Sequence, residues 1–328
     1  MKDFRVDEQA GSELRGQAPE GLCRGAEAIA SLSRSIAAAD AGASSHWRAM
    51  HETFRFAEGE VTGARGFGTH SPRSRRIEAL AHRMLQRPWR RLGAAYPAFD
   101  RIDRLADELA ARQGRIYDLD MLRQALTLAY LETRVPQTLE RNKLVIVIGD
   151  GYGTFAALAL AAFPHLRVVT INLGMSLIVD LKFIAQGIRD ASFALATGRE
   201  GIGAALADDA LRVIALKADD WALLSEVPAS LAVNIASMQE MDPPTIARYF
   251  DAMRTRTAPV TFYCCNRERK TLPDGTVIAF AEYPWRHEDR VLDDGLCPWH
   301  QRYYSARPPF VHPFDGPIRH RLAVLAQG

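Results

Sequence analysis

The sequence predicts an α/β fold, a doubly wound parallel sheet with a helical N-terminal region. Three observations carry this. Short apolar runs recur from Leu144 onward with helical stretches between them. A glycine-rich turn follows the first run directly, and two amphipathic stripes at helical spacing precede it. Strands that are apolar throughout belong to a parallel sheet covered on both faces.

Residues 1 to about 25 are polar, rich in glycine and charge, and read as loosely held. A helix is expected from Glu27 to Ala43, leaving through Gly42 to Ser45. Between Arg65 and Arg91 stand eight arginines, Arg75 and Arg76 among them, against the single acid Glu78. Guanidinium groups pair bidentately with anionic oxygens, so this segment suits a phosphate, or else a solvated helix face. Phe99, Ile102, Leu105, Ala106, Leu109 and Ala110 fall on one helical stripe; Leu119, Leu122, Ala125, Leu126, Ala129 and Tyr130 form another. Val135-Pro136 ends the second helix. The division expected is a helical region over 1–136, serving as a cap, a dimerisation surface or an acceptor-binding part, and a sheet domain over 137–328.

In that domain the strands expected are Leu144 to Ile148, Leu166 to Asn172, Leu211 to Leu216, Ser230 to Ser237 and Pro259 to Cys265. Helices are expected over Thr154 to Phe163, Ser176 to Gln186 and from Pro243-Pro244 to Met253. Ligands of such sheets bind beyond the carboxyl ends of the strands.

A formal charge of +2 argues against a dedicated polyanion binder, so no nucleic-acid partner is expected. Cys23, Cys264, Cys265 and Cys297 have neither a disulfide framework nor a C-x-x-C spacing, and read as buried thiols in a reducing compartment. No metal site is expected, since His300 and His312 lack the i, i+4 spacing. The N-terminus lacks the apolar core of a signal peptide and no window reaches a membrane span, so the chain is expected to be cytoplasmic.

The turn reads Gly149-Asp150-Gly151-Tyr152-Gly153 between a buried strand and a helix. Glycine serves where the backbone takes positive φ or approaches a ligand closely, and the helix start offers free N–H groups. Two cofactors fit. Gly151-x-Gly153-x-x-Ala156 has dinucleotide spacing, but Asn172 stands where an acid would hold the ribose. The closely spaced glycines suit S-adenosylmethionine better.

"VIVIGDGYGTFAAL", "VVTINLGMSLIVDLKFI" and "LAVNIASMQEMDPPTIARYFDAM" together resemble the sugar O-methyltransferase family, bacterial proteins with a Rossmann-like class I methyltransferase fold, associated with surface polysaccharide genes. The resemblance spans about Leu119 to His300. It implies S-adenosylmethionine as cofactor and the hydroxyl of a sugar, free in a glycan or nucleotide- or lipid-linked, as acceptor. It implies that Gly149, Gly151 and Gly153, with Asp150 and Tyr152 between them, line the methionine and ribose. Asn172 and Leu173 would lie near the ribose, Asp219 and Asp220 near adenine. Asn234 to Met241 would face cofactor and acceptor, Asn234 toward the first and Ser237, Met238 and Gln239 toward the second. The chain departs from the family at Val147, where an acid is usual, at Asp150, where glycine is usual, and at Asn172, where an acid is usual. Asp150 stands near enough to replace the missing acid. The same departures fit a methyltransferase-like binding or assembly protein without catalysis; an NAD-type oxidoreductase rests on the glycine spacing alone.

Methyl transfer to a hydroxyl needs alignment, exclusion of water and a proton acceptor. Glu240, after the fourth strand, is the first candidate; His287 and His300, near tryptophans in Pro-rich loops, are the others. Tyr283, Trp285, Trp299, Tyr303 and Tyr304 offer aromatic surface for a sugar face, or anchor a long loop.

Overall fold

The computed structural model describes residues 19–35, 43–52, 54–57, 60–62, 76–305 and 308–328. Nine strands form one sheet: β1 Leu22–Arg24, β2 Leu144–Ile148, β3 Arg167–Asn172, β4 Phe193–Ala196, β5 Val213–Lys217, β6 Leu231–Ile235, β7 Thr261–Arg267, β8 Arg290–Leu296 and β9 Ile318–Val324. Their spatial order is β1-β4-β5-β3-β2-β6-β7-β9-β8. The stretch from β4 to β7 is parallel throughout. β1 is antiparallel to β4, and β9 is antiparallel to both β7 and β8. The α/β, doubly wound fold expected from the sequence is therefore the one observed.

All five expected strands are present, as β2, β3, β5, β6 and β7. Neither β4, whose "FALA" is short and half alanine, nor the antiparallel margin stands out in the sequence. The reason lies in composition: β8, "RVLDDGL", and β9, "IRHRLAV", interleave charge with apolar residues, so neither makes an apolar run.

The helices are α1 Gly25–Ser35, α2 Ser45–His51, α3 Arg76–Leu85, α4 Arg87–Gly93, α5 Phe99–Arg112, α6 Leu119–Arg134, α7 Thr154–Ala162, α8 Gly174–Gly187, α9 Gly198–Ala207 and α10 Pro243–Arg254. The helix expected over Glu27 to Ala43 is seen as α1; residues 36–42 lie outside the described residues. On α5 the stripe buries Phe99, Ile102, Ala106, Leu109 and Ala110, as its spacing requires. Before α6, Asp118 has extended backbone and its carboxylate accepts from the Met121 N–H at 3.0 Å, satisfying a donor the helix start leaves orphaned. α6 packs against both α5 and α7, so burial extends around it and takes in Arg123.

Period-two alternation splits each strand between two cores. On β2, Val145 and Val147 face one core with α5 to α8, while Ile146 and Ile148 face the other with α9 and α10. On β7 the same rule puts Cys265 in the first core and Cys264 in the second, the opposite facing their adjacency predicts. Val147 is thus a packing residue of the strand. No helix among the described residues is long and apolar enough to cross a membrane.

At the C-terminal end, Arg254 of α10 forms a two-pronged ion pair with Asp289, at 2.6 and 2.8 Å. Both side chains are almost wholly buried. Backbone groups take up much of their remaining capacity: Arg254 donates to the Ala326 and Pro284 carbonyls, and Asp289 accepts from the Arg286 and Ala326 N–H groups, while Arg254 Nε has no partner among the described residues. Removing one partner strands a buried charge. Asp289→Ala is expected to lower unfolding stability by about 3–5 kcal/mol, measured by urea denaturation; a loss below about 1 kcal/mol would show the pair to be screened.

Candidate functional site

Strand order reverses around β2, whose neighbours β3 and β6 lead away in opposite directions. The segments leaving their carboxyl ends diverge there and leave a crevice. A cavity of about 560 Å³ occupies it. Its floor is the Gly149 to Tyr152 turn after β2, Asn172 and Leu173 after β3, Ala218 after β5 and Ala236 to Ser237 after β6. Ser44 and Trp47 at α2, Arg115 after α5, Arg123 of α6, and Tyr303 and Tyr304 from a short hairpin of Arg302–Tyr304 with Val311–Pro313 enclose it.

The turn is left-handed. Gly149, Gly151, Tyr152 and Gly153 have φ of 67°, 60°, 60° and 56°. At Gly149 a Cβ would lie 1.9 Å from Ser237 Oγ, and at Gly153 2.6 Å from the Asp180 carbonyl, so only glycine fits at either. Tyr152 takes the same conformation with a side chain attached, at a cost of about 1–2 kcal/mol. Its ring packs edge-on against Phe183 at 5.0 Å, with the Arg115 guanidinium over it at 5.6 Å.

Two carboxylates hold this path. Asp150 accepts from the Phe155 and Ala156 N–H groups at 2.8 Å each, capping α7. Asp180 of α8 accepts from the Gly153 N–H at 2.9 Å and from Asn172 Nδ2 at 2.8 Å. Burial pushes the Asp150 carboxyl up to about 6, against the pull of those N–H groups and of Arg115. Burial, then the nearby Asp150 charge, pushes Asp180 up to about 8. Asn172 also accepts from the Leu173 N–H at 2.9 Å. Its amide therefore bridges the buried acid to the loop after β3.

Arg115 is 2% exposed. One guanidinium nitrogen donates to Thr154 Oγ1 at 3.0 Å, while Nε and Nη1 have no partner among the described residues. Leaving such donors unmet is costly, and they belong to a residue of the cavity wall. Opposite, Glu240 accepts from Lys270 Nζ at 2.6 Å, with His46 Nε2 at 3.6 Å from its other oxygen. Ser44 Oγ donates to the Glu240 carbonyl, which fastens the start of α2 to this loop. Burial lowers the His46 pKa, opposed by Glu240 and aided by Lys270.

Of the residues singled out in the sequence, Gly149, Asp150, Gly151, Tyr152, Asn172, Leu173, Ser237, Gln239, Glu240, His300 and Tyr303 meet at this cavity. Gly153 lies just behind it. Asn234 and Met238 do not line it. Asn234 is buried, donating to the Ile148 carbonyl and accepting from the Met238 N–H and from Asn266 Nδ2, so it positions the loop that carries Ser237 and Glu240. Met238 is wholly buried in the second core. Asp219 and Asp220 follow Ala218 but stand outside the wall; Asp219 is exposed.

The structure does not bring His287 and Trp285 to the cavity. The His287 side chain is 91% exposed beside Glu288. Trp285 packs among Phe250, Phe262 and Phe280 with Arg321 over its ring, and Tyr283 belongs to the same cluster. Trp299 is buried, its indole N–H donating to Thr127 Oγ1 at 3.0 Å. Tyr304 remains in the wall, its hydroxyl 2.6 Å from His82 Nδ1. Arg75 lies outside the described residues; Arg76 opens α3. Arg90 of the basic segment is already paired with Asp103. His300 is buried, and burial followed by the Arg123 and His320 charges holds its pKa well below the usual range.

Arg115, Asp180, His46 and Lys270 were missed. Asp180 had a signal, a lone acid inside the apolar "SLIVDL". The others had none, since long-range packing alone brings them here.

No family model matches the chain, and no curated protein sequence matches it. Among solved structures, mitomycin 7-O-methyltransferase MmcR is 16% identical with a TM-score of 0.35, over 62% of this chain and 57% of that one. Methyltransferase CalO6 is 15% identical with a TM-score of 0.33, over 55% of this chain and 56% of that one. The precorrin-6y C5,15-methyltransferase from Geobacter metallireducens is 14% identical with a TM-score of 0.35, over 62% and 87%. The chain spans little more than half the length of the first two. Superpositions this partial say nothing of activity; strand order and cavity define the site.

Asn172→Asp tests the buried bridge. It would set a carboxylate against Asp180, and such a pair resists ionising together. The folded state then retains protons that the unfolded chain releases, so stability falls as pH rises from 3.8 toward about 8. The variant is expected to lose about 1–3 kcal/mol by urea denaturation at pH 8 and clearly less at pH 5. Equal losses at both would show that Asp180 is not coupled to position 172.

Proposed function

We propose that the protein is an S-adenosylmethionine-dependent O-methyltransferase acting on a sugar hydroxyl. The observation that carries this reading is the left-handed glycine turn at the switch point, opening beside the unmet Arg115 donors. The cofactor is a zwitterion whose carboxylate needs a cation and whose adenosine needs a crevice, and these residues fit both. Arg115 would take the carboxylate through Nε and Nη1. The turn lets the backbone approach without Cβ atoms, and Asn172 has spare amide capacity for a ribose hydroxyl.

Bound there, the cofactor supplies an electrophilic methyl. The protein's own part is to place a hydroxyl in line, exclude water and accept one proton. Glu240 faces the cavity from the loop after β6 and is the proton acceptor in this reading, its carboxylate oriented by Lys270. Trp47, Tyr303 and Tyr304 give an aromatic wall on which the C–H face of a sugar stacks, and Gln239 and Arg267 add polar contacts. Sugar as acceptor rests on that wall and on the sequence resemblance.

Calorimetric titration with S-adenosylmethionine and S-adenosylhomocysteine, with NAD as control, tests the cofactor. Saturable micromolar binding of the first two alone is expected, and Arg115→Leu should weaken it about 10- to 100-fold. Binding of neither would move the assignment to a cofactor-free binding protein; binding of NAD alone would move it to an oxidoreductase. Once an acceptor is found, Glu240→Gln is expected to cut kcat about 100-fold or more with cofactor affinity unchanged. Unaltered turnover would remove Glu240 as the base.

A further inference from the structure

We propose that Cys265, Cys297 and His300 form a zinc site at the border of the first core and the cavity. One ligand atom of each lies within 4.8 Å of the other two, and all three residues are buried. A tetrahedral zinc with Zn–S near ~2.3 Å and Zn–N near ~2.0 Å needs its ligand atoms about 3.5–3.8 Å apart. Closure therefore needs shifts of about 1 Å, within the reach of side-chain rotation.

Backbone fixes the set from two sides. Cys265 comes from β7, its facing settled by alternation. Cys297 follows β8, and its N–H donates to the Ile318 carbonyl of β9 at 2.9 Å. The His300 N–H donates back to the Cys297 carbonyl at 3.2 Å, closing Cys297-Pro298-Trp299-His300 into a tight C-x-x-H turn. That turn is anchored by the buried Trp299 indole and by Arg123, whose Nε donates to the Trp299 carbonyl at 3.1 Å.

A second observation points to a ligand. His300 Nε2 is buried and has no hydrogen-bond partner among the described residues. Two thiols and an imidazole are soft and borderline donors that favour zinc over magnesium or calcium. On binding, two S–H bonds break, two Zn–S bonds form and two protons leave to solvent, so two thiolates neutralise the dication. No fourth His, Cys, Asp or Glu joins the cluster among the described residues, leaving one position open. His300 also belongs to the cavity wall, the direction from which water can complete the set.

The test uses the full chain, purified in a phosphine reductant and stripped of metal, then titrated with cobalt(II). Expected are saturation at about one equivalent, a thiolate-to-cobalt charge-transfer band in the near ultraviolet, and loss of that band on adding zinc. Cys265→Ser and Cys297→Ser should each weaken binding by about 10-fold or more. Cys264→Ser, on the opposite face, should not. If the serine variants fail to fold, the unmodified chain decides alone: no charge-transfer band at one equivalent overturns the proposal. A band that persists unchanged in folded Cys297→Ser also overturns it, by placing the metal elsewhere. None of these readings depends on methyl transfer, so they stand or fall apart from the proposed activity.

Discussion

Between Gly149 and Gly153 the backbone follows a left-handed path that an ordinary chain would not keep, and the carboxylates of Asp150 and Asp180 keep it. Asp150 spans from the turn to the first amides of α7, while Asp180 reaches up from α8 to the Gly153 N–H. The rest of the cavity is built outward from there. Fixing the turn fixes where Gly149 meets Ser237, and hence where the loop after β6 can run. That loop carries Glu240, which in turn receives Ser44 from the start of α2.

Seen this way, Val147 and Asn172 change meaning. Acidic groups are not missing from this region: Asp150 stands within the turn and Asp180 on the helix behind it. Asp180 acts from the neighbouring helix, and Asn172 is neutral because a second carboxylate would face it at hydrogen-bond distance. The cavity wall carries the Arg115 donors together with Asp118, Asp120 and Asp150, and Glu240 joins them from the loop after β6.

Five of the six parallel strands were legible because burial on both faces leaves unbroken apolar runs, β4 being too short and alanine-rich to show, and the turn was legible because only glycine tolerates its contacts. Strands at the antiparallel margin were not, since a strand half open to solvent alternates and carries charge. Among site residues, those next to strand ends were found by position. Arg115 and Lys270 are set by packing across long sequence separations, which no local pattern records. Trp285 and His287 show the converse: an aromatic and histidine cluster in a Pro-rich loop reads as a binding surface, yet one packs inside and the other points to water. Of the thiol cluster, the Cys297-to-His300 turn is written in the chain, while its union with Cys265 depends on the register of β7, β9 and β8.

That register has a further effect at the sheet's outer margin. The β8 strand bulges between Val291 and Asp293, and Asp294 pairs across it with Arg319 and Arg321 of β9. A kinked, charge-laced border is a poor template for an incoming strand. At the other margin β1 is three residues long and passes straight into α1. Among the described residues, neither border of the nine-stranded sheet therefore offers a long, flat edge for an incoming strand to pair with.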